Sequence, residues 1–302
     1  EYGITVRLDK NFLKIIRLLI ERHQRFAMFG GVRFGGTLTL EQAFGLGFDH
    51  VALCLGAGKP TILDMPHQLA PGVRMASDFL MALQLTGAAK ADSIANLQLR
   101  LPAVVIGGGL TAIDTATEAL AYYPRQVEKF LGRFETLAAE RGEAAVRSAW
   151  TPVESAIAEE FIAHARAIRA ERARAAAAGE APRLTALMDE WGGVTIAYRR
   201  RLIDSPSYTL NHEEVAKAME EGIRFAECLA PEEVKIDRFG HAEALVLLSH
   251  KVEEGTGKII ATNERVTLRA RTVLVAAGTT PNTVLAREDK QVEIDGRFFQ
   301  AY

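Results

Sequence analysis

The sequence predicts a mixed α/β protein built around a parallel β-sheet. Two short apolar runs, at residues 101–106 and 272–277, lead directly into glycine, which is typical of buried parallel strands that end in tight turns. Between residues 234 and 272, strand-like segments alternate with breaks at Phe239-Gly240 and Glu254-Gly255, which predicts an antiparallel β-meander. Three glycines and a helical pattern follow the first apolar run, so we expect a Rossmann-type parallel sheet.

Length and composition favour a two-domain globular protein. The chain has 302 residues, and domains of about 100–200 residues are typical. The formal charge is −2, so neither nucleic acid nor an anionic membrane surface is expected as the main partner. No apolar run reaches the roughly 18 residues of a membrane span, and we expect a cytoplasmic protein. Because the sequence begins at Glu1 without an initiator Met, we interpret it as a fragment of a longer parent protein.

The cysteines and histidines show no pattern of metal ligation or nucleophilic catalysis. Cys54 and Cys228 form no C-x-x-C pair, which excludes a local redox dithiol or a zinc knuckle. We expect two buried free thiols, with a long-range disulfide as the alternative. The seven histidines are scattered without ligand spacing, so we predict no metal site and assign no catalytic residue.

Several short elements are predicted before the three glycines. Apolar residues at helical spacing indicate helices, continuous apolar runs indicate strands, and three of the ten prolines mark a connector. The predicted elements are a helix at 9–24, strands at 25–29 and 32–34, a helix at 40–46 capped by Thr39, a buried strand at 50–55, a connector at 59–72 and a helix at 73–88.

A helical insertion is predicted at residues 125–190, after a helix that we expect to end near Tyr122. The segment is rich in Ala, Arg and Glu, and Thr151-Pro152-Val153-Glu154 has the form of a capping box. We expect two or three helices that pack on themselves and rest one apolar face on the Rossmann unit or on a partner in the parent assembly, so that excising them leaves a folded protein. The Arg166–Arg174 stretch is expected to be a solvated face. The predicted elements that follow are a strand at 194–198, a helix at 211–221 and a strand at 223–228.

A dinucleotide-binding turn is predicted where the strand at 101–106 meets the next helix. The pattern G-x-G-x-x-A is formed by Gly107, Gly108, Gly109, Leu110, Thr111 and Ala112. The glycines allow a tight turn and a close approach of backbone to a pyrophosphate, and the small last residue lets the helix pack on the strand. The helix N-terminus adds oriented N–H groups and a favourable dipole. The alternative is a glycine turn without a ligand.

Two arginines at the end of the following strand indicate which dinucleotide is bound. NAD-binding folds carry an acidic residue there, which holds the ribose 2′-hydroxyl. This sequence has Arg199 and Arg200 instead, and a guanidinium matches a phosphate where a carboxylate would repel it. The residues therefore predict NADP(H), and the alternative is a solvated arginine run. Arg201 is equally consistent with a contact or a bystander.

Further motifs accompany the turn and the arginines. They are Tyr2-Gly3-Ile4 with Arg7-Leu8, Ile113-Asp114 after the turn, Tyr198 before the arginines, Glu220-Glu221-Gly222, and Ala277-Gly278 before Pro281-Asn282. Together they resemble the NADPH-binding region of the glutamate synthase small subunit and of dihydropyrimidine dehydrogenase. These are FAD-dependent proteins similar to the pyridine nucleotide-disulfide oxidoreductases. Where the family has Met-Pro-Ala, this sequence has Asp204-Ser205-Pro206-Ser207.

The resemblance implies two interleaved domains, an FAD domain and an NADPH domain inserted into it. The implied division is partial FAD-domain segments at 1–60 and 280–302, a connector and helix at 61–100, an NADP(H)-binding Rossmann domain at 101–124 and 191–279, and the helical insertion at 125–190. By the same resemblance, Gly56 and Ala57 end the last FAD-domain strand before the crossover and contact cofactor. Gly278 either contacts cofactor or only closes a crossover.

The resemblance also implies a function for the parent protein. Hydride would pass from the nicotinamide of NADPH to FAD, and electrons would then pass to another domain of the parent or to an electron-accepting subunit. The FAD fingerprint is absent from this sequence, so FAD is expected in the parent and the isolated fragment is expected to be inactive. The alternative is a non-catalytic NADP(H)-binding or docking module whose helical insertion mediates assembly.

Overall fold

Two units make up the part of the chain that the computed structural model describes, which is residues 11–253, 256 and 258–300. A large unit comprises residues 62–277, and a small unit combines residues 11–61 with residues 278–300. The motif at Tyr2-Gly3-Ile4 and Arg7-Leu8 lies outside the described residues.

The helices and strands are numbered in chain order. The helices are α1 (Asn11–Glu21), α2 (Leu40–Gly45), α3 (Ala76–Leu85), α4 (Leu110–Arg141), α5 (Glu143–Ser148), α6 (Pro152–Ala178), α7 (Leu184–Glu190), α8 (Pro206–Glu220) and α9 (Leu285–Glu288). The strands are β1 (Lys59–Pro60), β2 (Val73–Met75), β3 (Ala103–Ile106), β4 (Val194–Ala197), β5 (Arg224–Ala226), β6 (Leu229–Ile236), β7 (Ala242–Val252), β8 (Ile259–Arg269), β9 (Thr272–Val275), β10 (Thr279–Thr280), β11 (Ile294–Asp295) and β12 (Phe298–Phe299).

A five-stranded parallel sheet with the order β2-β9-β3-β4-β5 organises the large unit. The register places Ile106 of β3 between Ala197 of β4 and Val275 of β9, so three strands end at one edge. Every residue of β3 and β9 is buried, which explains why both read as continuous apolar runs. The predicted α/β class with a parallel sheet is confirmed.

Each face of the parallel sheet packs against a different layer. Side chains alternate along a strand, so Ala103 and Val105 of β3 belong to a core shared with the helices. Val104 and Ile106 belong to a second core, shared with β6, β7 and β8. These three strands form the predicted antiparallel meander, and its Leu245 is fully buried.

The helix after the glycine turn is longer than the sequence suggested. It was predicted to end near Tyr122, but α4 continues to Arg141 with Pro124 inside it. An interior proline costs about 3 kcal/mol, because it removes a backbone hydrogen bond and crowds the preceding turn. Burial of Tyr122, Tyr123 and Val127 offsets that cost, at about 1.5–3 kcal/mol for each large side chain.

The helices of residues 125–190 share the core of the parallel sheet. Leu131 and Phe134 of α4 and Phe161 of α6 are buried in the same cluster as Val105 of β3. The segment thus rests an apolar face on the core of the sheet, as expected, but no boundary separates it from the preceding helix at residue 125. The reason is that α4 crosses position 125 without a break, so one helix contributes to both regions.

Helix ends follow the capping signals of the sequence. Thr39 and Gln42 form a reciprocal capping box at the start of α2, and Thr151 and Glu154 form another at the start of α6. Gly179 ends α6 with a left-handed φ of +66°, a conformation that glycine adopts without strain. The predicted caps at Thr39 and Thr151 are confirmed.

The arginine-rich stretch of α6 faces solvent and pairs with α4. Arg169 donates to both carboxylate oxygens of Glu135 at 2.8 and 2.9 Å, and Arg172 pairs with Glu128 at 2.8 Å. Exposed pairs of this kind contribute about 0–1 kcal/mol. The predicted solvated face is confirmed.

Two elements of the large unit begin elsewhere than predicted. Val73–Met75, predicted as the start of a helix, form β2, because they pair in parallel with Val273–Val275 of β9. Helix α8 begins at Pro206 and is capped by the hydroxyl of Ser205. The predicted start, Asn211, is a kink inside α8 with φ −152° and ψ 61°.

In the small unit, the described strands form two ladders of two residues each, β1 with β10 and β11 with β12. The strands predicted at 25–29, 32–34 and 50–55 are not formed. An apolar run becomes a buried strand only when neighbouring strands pair with it, and none of the described ladders extends to these residues. Cys54 is consequently exposed, not buried as predicted, whereas Cys228 is half-buried, and both thiols are free.

Among the described residues, no helix is both long enough and apolar enough to cross a lipid bilayer.

Candidate nucleotide-binding site

The glycine turn lies at the carboxyl edge of the parallel sheet, between β3 and α4. The N–H of Gly107 donates to the carbonyl of Ala197 at 3.0 Å, which ties the turn to β4. A Cβ at Gly107 would lie 2.4 Å from the carbonyl oxygen of Ala276, and φ is +155°. Only glycine fits there, since any side chain would collide with the backbone after β9.

Gly109 is the N-cap of α4 and leaves the start of the helix open. Its φ of −96° suits any residue, no side chain caps the helix, and a Cβ there would meet no atom within 4 Å. Ala112 is fully buried and lets α4 pack closely on the sheet. Leu110 and Thr111 lie between them in the first turn, where backbone N–H groups have no partner inside the helix. The turn therefore offers N–H donors to an anion.

Gly108 has a different neighbour, the aromatic ring of Tyr198 at the end of β4. A Cβ at Gly108 would lie 2.3 Å from Cε2 of Tyr198. The Gly108 carbonyl accepts from the backbone N–H of Ser207 at 3.1 Å and from its hydroxyl at 3.0 Å. Because Gly108 has no side chain, the ring of Tyr198 and the start of α8 can pack directly against the turn.

Sequence reasoning missed the two serines that support the turn. Ser205 and Ser207 are buried, their hydroxyls lie 3.0 Å apart, and Ser205 accepts from the N–H of Tyr208 at 3.1 Å. The available signal was Ser205 before Pro206, which is a common N-cap arrangement. The contact of Ser207 with Gly108 joins residues 99 positions apart and has no local signature.

Arg199 and Arg200 follow β4 at the same edge of the sheet as the glycine turn. Both side chains are exposed, and neither forms a salt bridge with any described residue. Arg201 differs, since it donates to both carboxylate oxygens of Asp204 at 2.7 and 3.0 Å. This pairing lowers the pKa of Asp204 and leaves Arg201 engaged within the chain.

The open side of the turn is the side with room for a ligand. The cavity between the glycines, Tyr198 and the start of α8 has a volume of only about 10 Å³. That is about the smallest volume that holds one water molecule, and a phosphate group does not fit. A pyrophosphate would therefore approach the turn from the side of Gly109.

Gly56, Ala57 and Gly278 belong to the small unit. The carbonyl of Gly56 accepts from the N–H of Asn282 at 3.3 Å, and that of Gly278 accepts from Thr61 at 2.9 Å. These bonds flank the ladder of β1 with β10. All three residues are exposed, and the bonds of Gly56 and Gly278 join the two chain segments of this unit.

The described residues hold no cluster suited to a metal ion. No group of three or more His, Cys, Asp or Glu side chains is placed to ligate one.

Comparison with known proteins shows the fold. No family model matches the sequence. The uncharacterized protein RP006 of Rickettsia prowazekii (strain Madrid E) is 41% identical over 293 residues, which is 94% of this chain and 39% of that protein. A variant of FprA from Mycobacterium tuberculosis matches with a TM-score of 0.50 and 20% identity, over 93% of this chain and 62% of FprA. FprA in complex with NADPH gives 0.48 and 19%, over 91% and 60%.

The chain therefore has a fold like that of FprA, which is an oxidoreductase. It spans less than two thirds of the length of FprA and about two fifths of the length of RP006.

Proposed function

We propose that this chain is the NADP(H)-binding part of an NADPH-dependent flavoprotein oxidoreductase similar to the glutamate synthase small subunit. One observation carries the proposal. A G-x-G-x-x-A turn opens a helix without a side-chain cap at the edge of the sheet, where the neighbouring strand is followed by two arginines that have no salt-bridge partner among the described residues. The fold that the chain shares with the oxidoreductase FprA supports this class.

The residues of the large unit fit NADP(H). Gly109 faces open space and the α4 N-terminus has no capping side chain, which suits a pyrophosphate. Arg199 and Arg200 suit a 2′-phosphate, because a planar guanidinium donates two parallel hydrogen bonds to phosphate oxygens. Bound NADPH would supply the hydride, and the residues of this chain would bind and orient it.

The described residues of the small unit do not by themselves fit FAD. Residues 51–58 have no regular structure, so Gly56 and Ala57 do not join a strand to a helix as an FAD pyrophosphate requires. We propose that residues 1–60 and 280–302 are segments of an FAD domain that other parts of the parent protein complete.

The cofactor preference tests the proposal. Calorimetric titration of the 302-residue chain should show NADPH binding at least about tenfold tighter than NADH, since charge-assisted hydrogen bonds net about 1.5–3 kcal/mol each before exposure weakens them. Replacing Arg199 and Arg200 with Ala should remove this difference and spare the affinity for NADH. Arg201→Ala is the matched control, because that arginine already pairs with Asp204. Equal affinities of the wild type for both nucleotides would contradict the proposal.

A second candidate is a non-catalytic NADP(H)-binding or docking module. The helices α5, α6 and α7 favour it, since they add a helical layer that contains no residue of the proposed nucleotide site. The flavin absorbance of the full-length parent protein distinguishes the two candidate functions. A reductase should be yellow and lose its flavin absorbance when NADPH is added anaerobically, whereas a docking module should stay colourless and bind NADPH unchanged.

A further inference from the structure

A cavity of about 510 Å³ lies at the amino-terminal edge of the parallel sheet, opposite to the glycine turn. Its walls include Pro102 just before β3, Gly192 before β4 and Arg271 before β9. Cavities of about 300–1,000 Å³ are typical of small-molecule sites. The proposed nucleotide site leaves this space unexplained.

The helix α6 supplies two polar side chains to this cavity. Glu160 and His164 are one helical turn apart and both line it. Glu160, with a side chain 11% exposed, accepts from Arg100 at 2.6 and 3.3 Å and also from Arg271. A carboxylate so deeply placed is stabilised by two guanidinium groups, and its negative charge is more than neutralised.

The charge balance around the cavity is positive. Four arginines face three carboxylates among the lining residues and their direct ion-pair partners. The arginines are Arg100, Arg224, Arg269 and Arg271, and the carboxylates are Asp189, Glu160 and Glu190. Arg269 is exposed at the end of β8 and forms no salt bridge with any described residue. One guanidinium on the cavity wall is therefore available for an anion.

An aromatic surface completes the wall. The rings of Trp191 and His164 are stacked, with centroids 3.8 Å apart and planes 8° apart. His164 Nδ1 lies 2.6 Å from the hydroxyl of Tyr123, which fixes the orientation of the imidazole. The cavity thus combines unpaired positive charge with a fixed apolar face, as sites for small organic anions do.

We propose that this cavity binds a small organic anion, whose carboxylate or phosphate pairs with Arg269 and Arg271 and whose carbon skeleton rests against Trp191. Guanidinium groups bind either kind of oxyanion with two parallel hydrogen bonds. Arg271 gives one terminal nitrogen to Glu160, so further donors of its guanidinium are left for a ligand. The helical layer then has a function, because α6 builds a wall of a second site.

This site does not overlap the proposed nucleotide site. The cavity and the glycine turn lie at opposite ends of β3, which is four residues long and rises about 3.3 Å per residue. An anion at one edge and a pyrophosphate at the other therefore do not compete for the same space. The inference survives if NADP(H) binding fails, and the converse also holds.

The fluorescence of Trp191 can report on anion binding in this cavity. Of the two tryptophans in the chain, Trp150 is removed by Trp150→Phe, so that fluorescence reports on Trp191 alone. The variant is titrated with inorganic phosphate and, separately, with malonate. We expect a saturable fluorescence change with at least one of them, and the effective probe distinguishes a phosphate site from a carboxylate site. Calorimetry on the wild-type chain repeats both titrations in case Trp150→Phe does not fold.

Substitutions on β8 then locate the anion. Arg269→Gln should weaken binding of the effective probe about tenfold, which is the contribution of one charge-assisted hydrogen bond. Arg265→Gln, on the same strand, removes an exposed arginine that pairs with Glu232 and should change nothing. The titration is repeated with saturating NADP⁺, which should leave the affinity unchanged. The proposal is overturned by the absence of saturable binding, by equal effects of both substitutions, or by competition with NADP⁺.

Discussion

The two units bury apolar sequence very differently. In the large unit, every residue of β9 (Thr-Val-Leu-Val) is buried between β2 and β3. In the small unit, the comparable run Val51–Leu55 forms no strand. The helix α1 shows the same contrast, because Ile16 and Leu19 are 49% and 52% exposed although they repeat at helical spacing.

A sequence pattern does not distinguish the ability of a segment to bury its apolar side chains from their actual burial. An apolar run shows that a segment is able to bury its side chains. Whether it does so depends on neighbours that come from elsewhere in the chain or from a partner. For β9 the neighbours are β2 and β3, which lie about 170–200 residues earlier in the sequence.

The largest test of this comparison removes a whole segment from each unit. Replacing residues 125–190 with a short Gly/Ser linker should abolish folding, because the main core loses Leu131, Phe161 and their neighbours. Deleting residues 11–21 should leave the large unit folded and able to bind NADPH. Circular dichroism and NADPH titration check both outcomes. A folded, nucleotide-binding product of the first deletion, reproduced with two linkers, would restore the view that the helical segment is a separate insertion.

Single truncations sharpen the same contrast. Leu131→Ala should lower the free energy of unfolding by about 2–5 kcal/mol, because it opens a cavity in a fully buried site. Ile16→Ala should change it by no more than about 0.5 kcal/mol, as exposed substitutions usually do. Urea denaturation followed by circular dichroism reports on both units. A loss above about 2 kcal/mol for Ile16→Ala would show that α1 is covered in solution.

Much of the large unit could be predicted because its signals are local. The strands β3 and β9 are continuous apolar runs that end in glycine, and the capping box at Thr151 marks a helix start within four residues. The strand β2 could not be predicted, since Val73–Met75 are distinguished only by their pairing with β9. The full length of α4 was also hidden, because Pro124 is a helix-breaking signal that tertiary packing overrides.

The candidate site likewise has features that the sequence predicts and features that it does not. The glycine turn and the arginines were found from motif and spacing, and the structure places them at one edge of the sheet. The packing of Tyr198 on Gly108 and the hydrogen bonds from Ser207 were not readable, because they join distant parts of the chain.

Two glycines of the turn should respond oppositely to substitution. Gly107→Ala should destabilise the large unit by about 1–3 kcal/mol, because the new methyl group overlaps the Ala276 carbonyl. Gly109→Val should preserve the stability, since its Cβ meets open space, and should abolish NADPH binding by occupying the approach of the pyrophosphate. Thermal unfolding and calorimetry measure the two effects. Normal NADPH binding by Gly109→Val would place the cofactor elsewhere.

The smallest expected effect is a pH dependence of the free energy of unfolding that arises from His164. Burial lowers the pKa of His164, the nearby Glu160 raises it, and Arg271 and Arg100 lower it further, so the net direction is down. The unfolded chain therefore binds a proton at a higher pH than the folded one, near the usual value of about 6.5. The stabilising contribution is complete above that pH and is lost as the pH falls through it towards the lowered pKa of the folded state. Urea denaturation of the wild type at pH 7.5 and 5.5 should show a larger loss of stability than denaturation of His164→Gln, which cannot titrate. Parallel losses would mean that His164 is protonated as easily in the folded protein as in the unfolded chain, and that its stack on Trp191 is open to water.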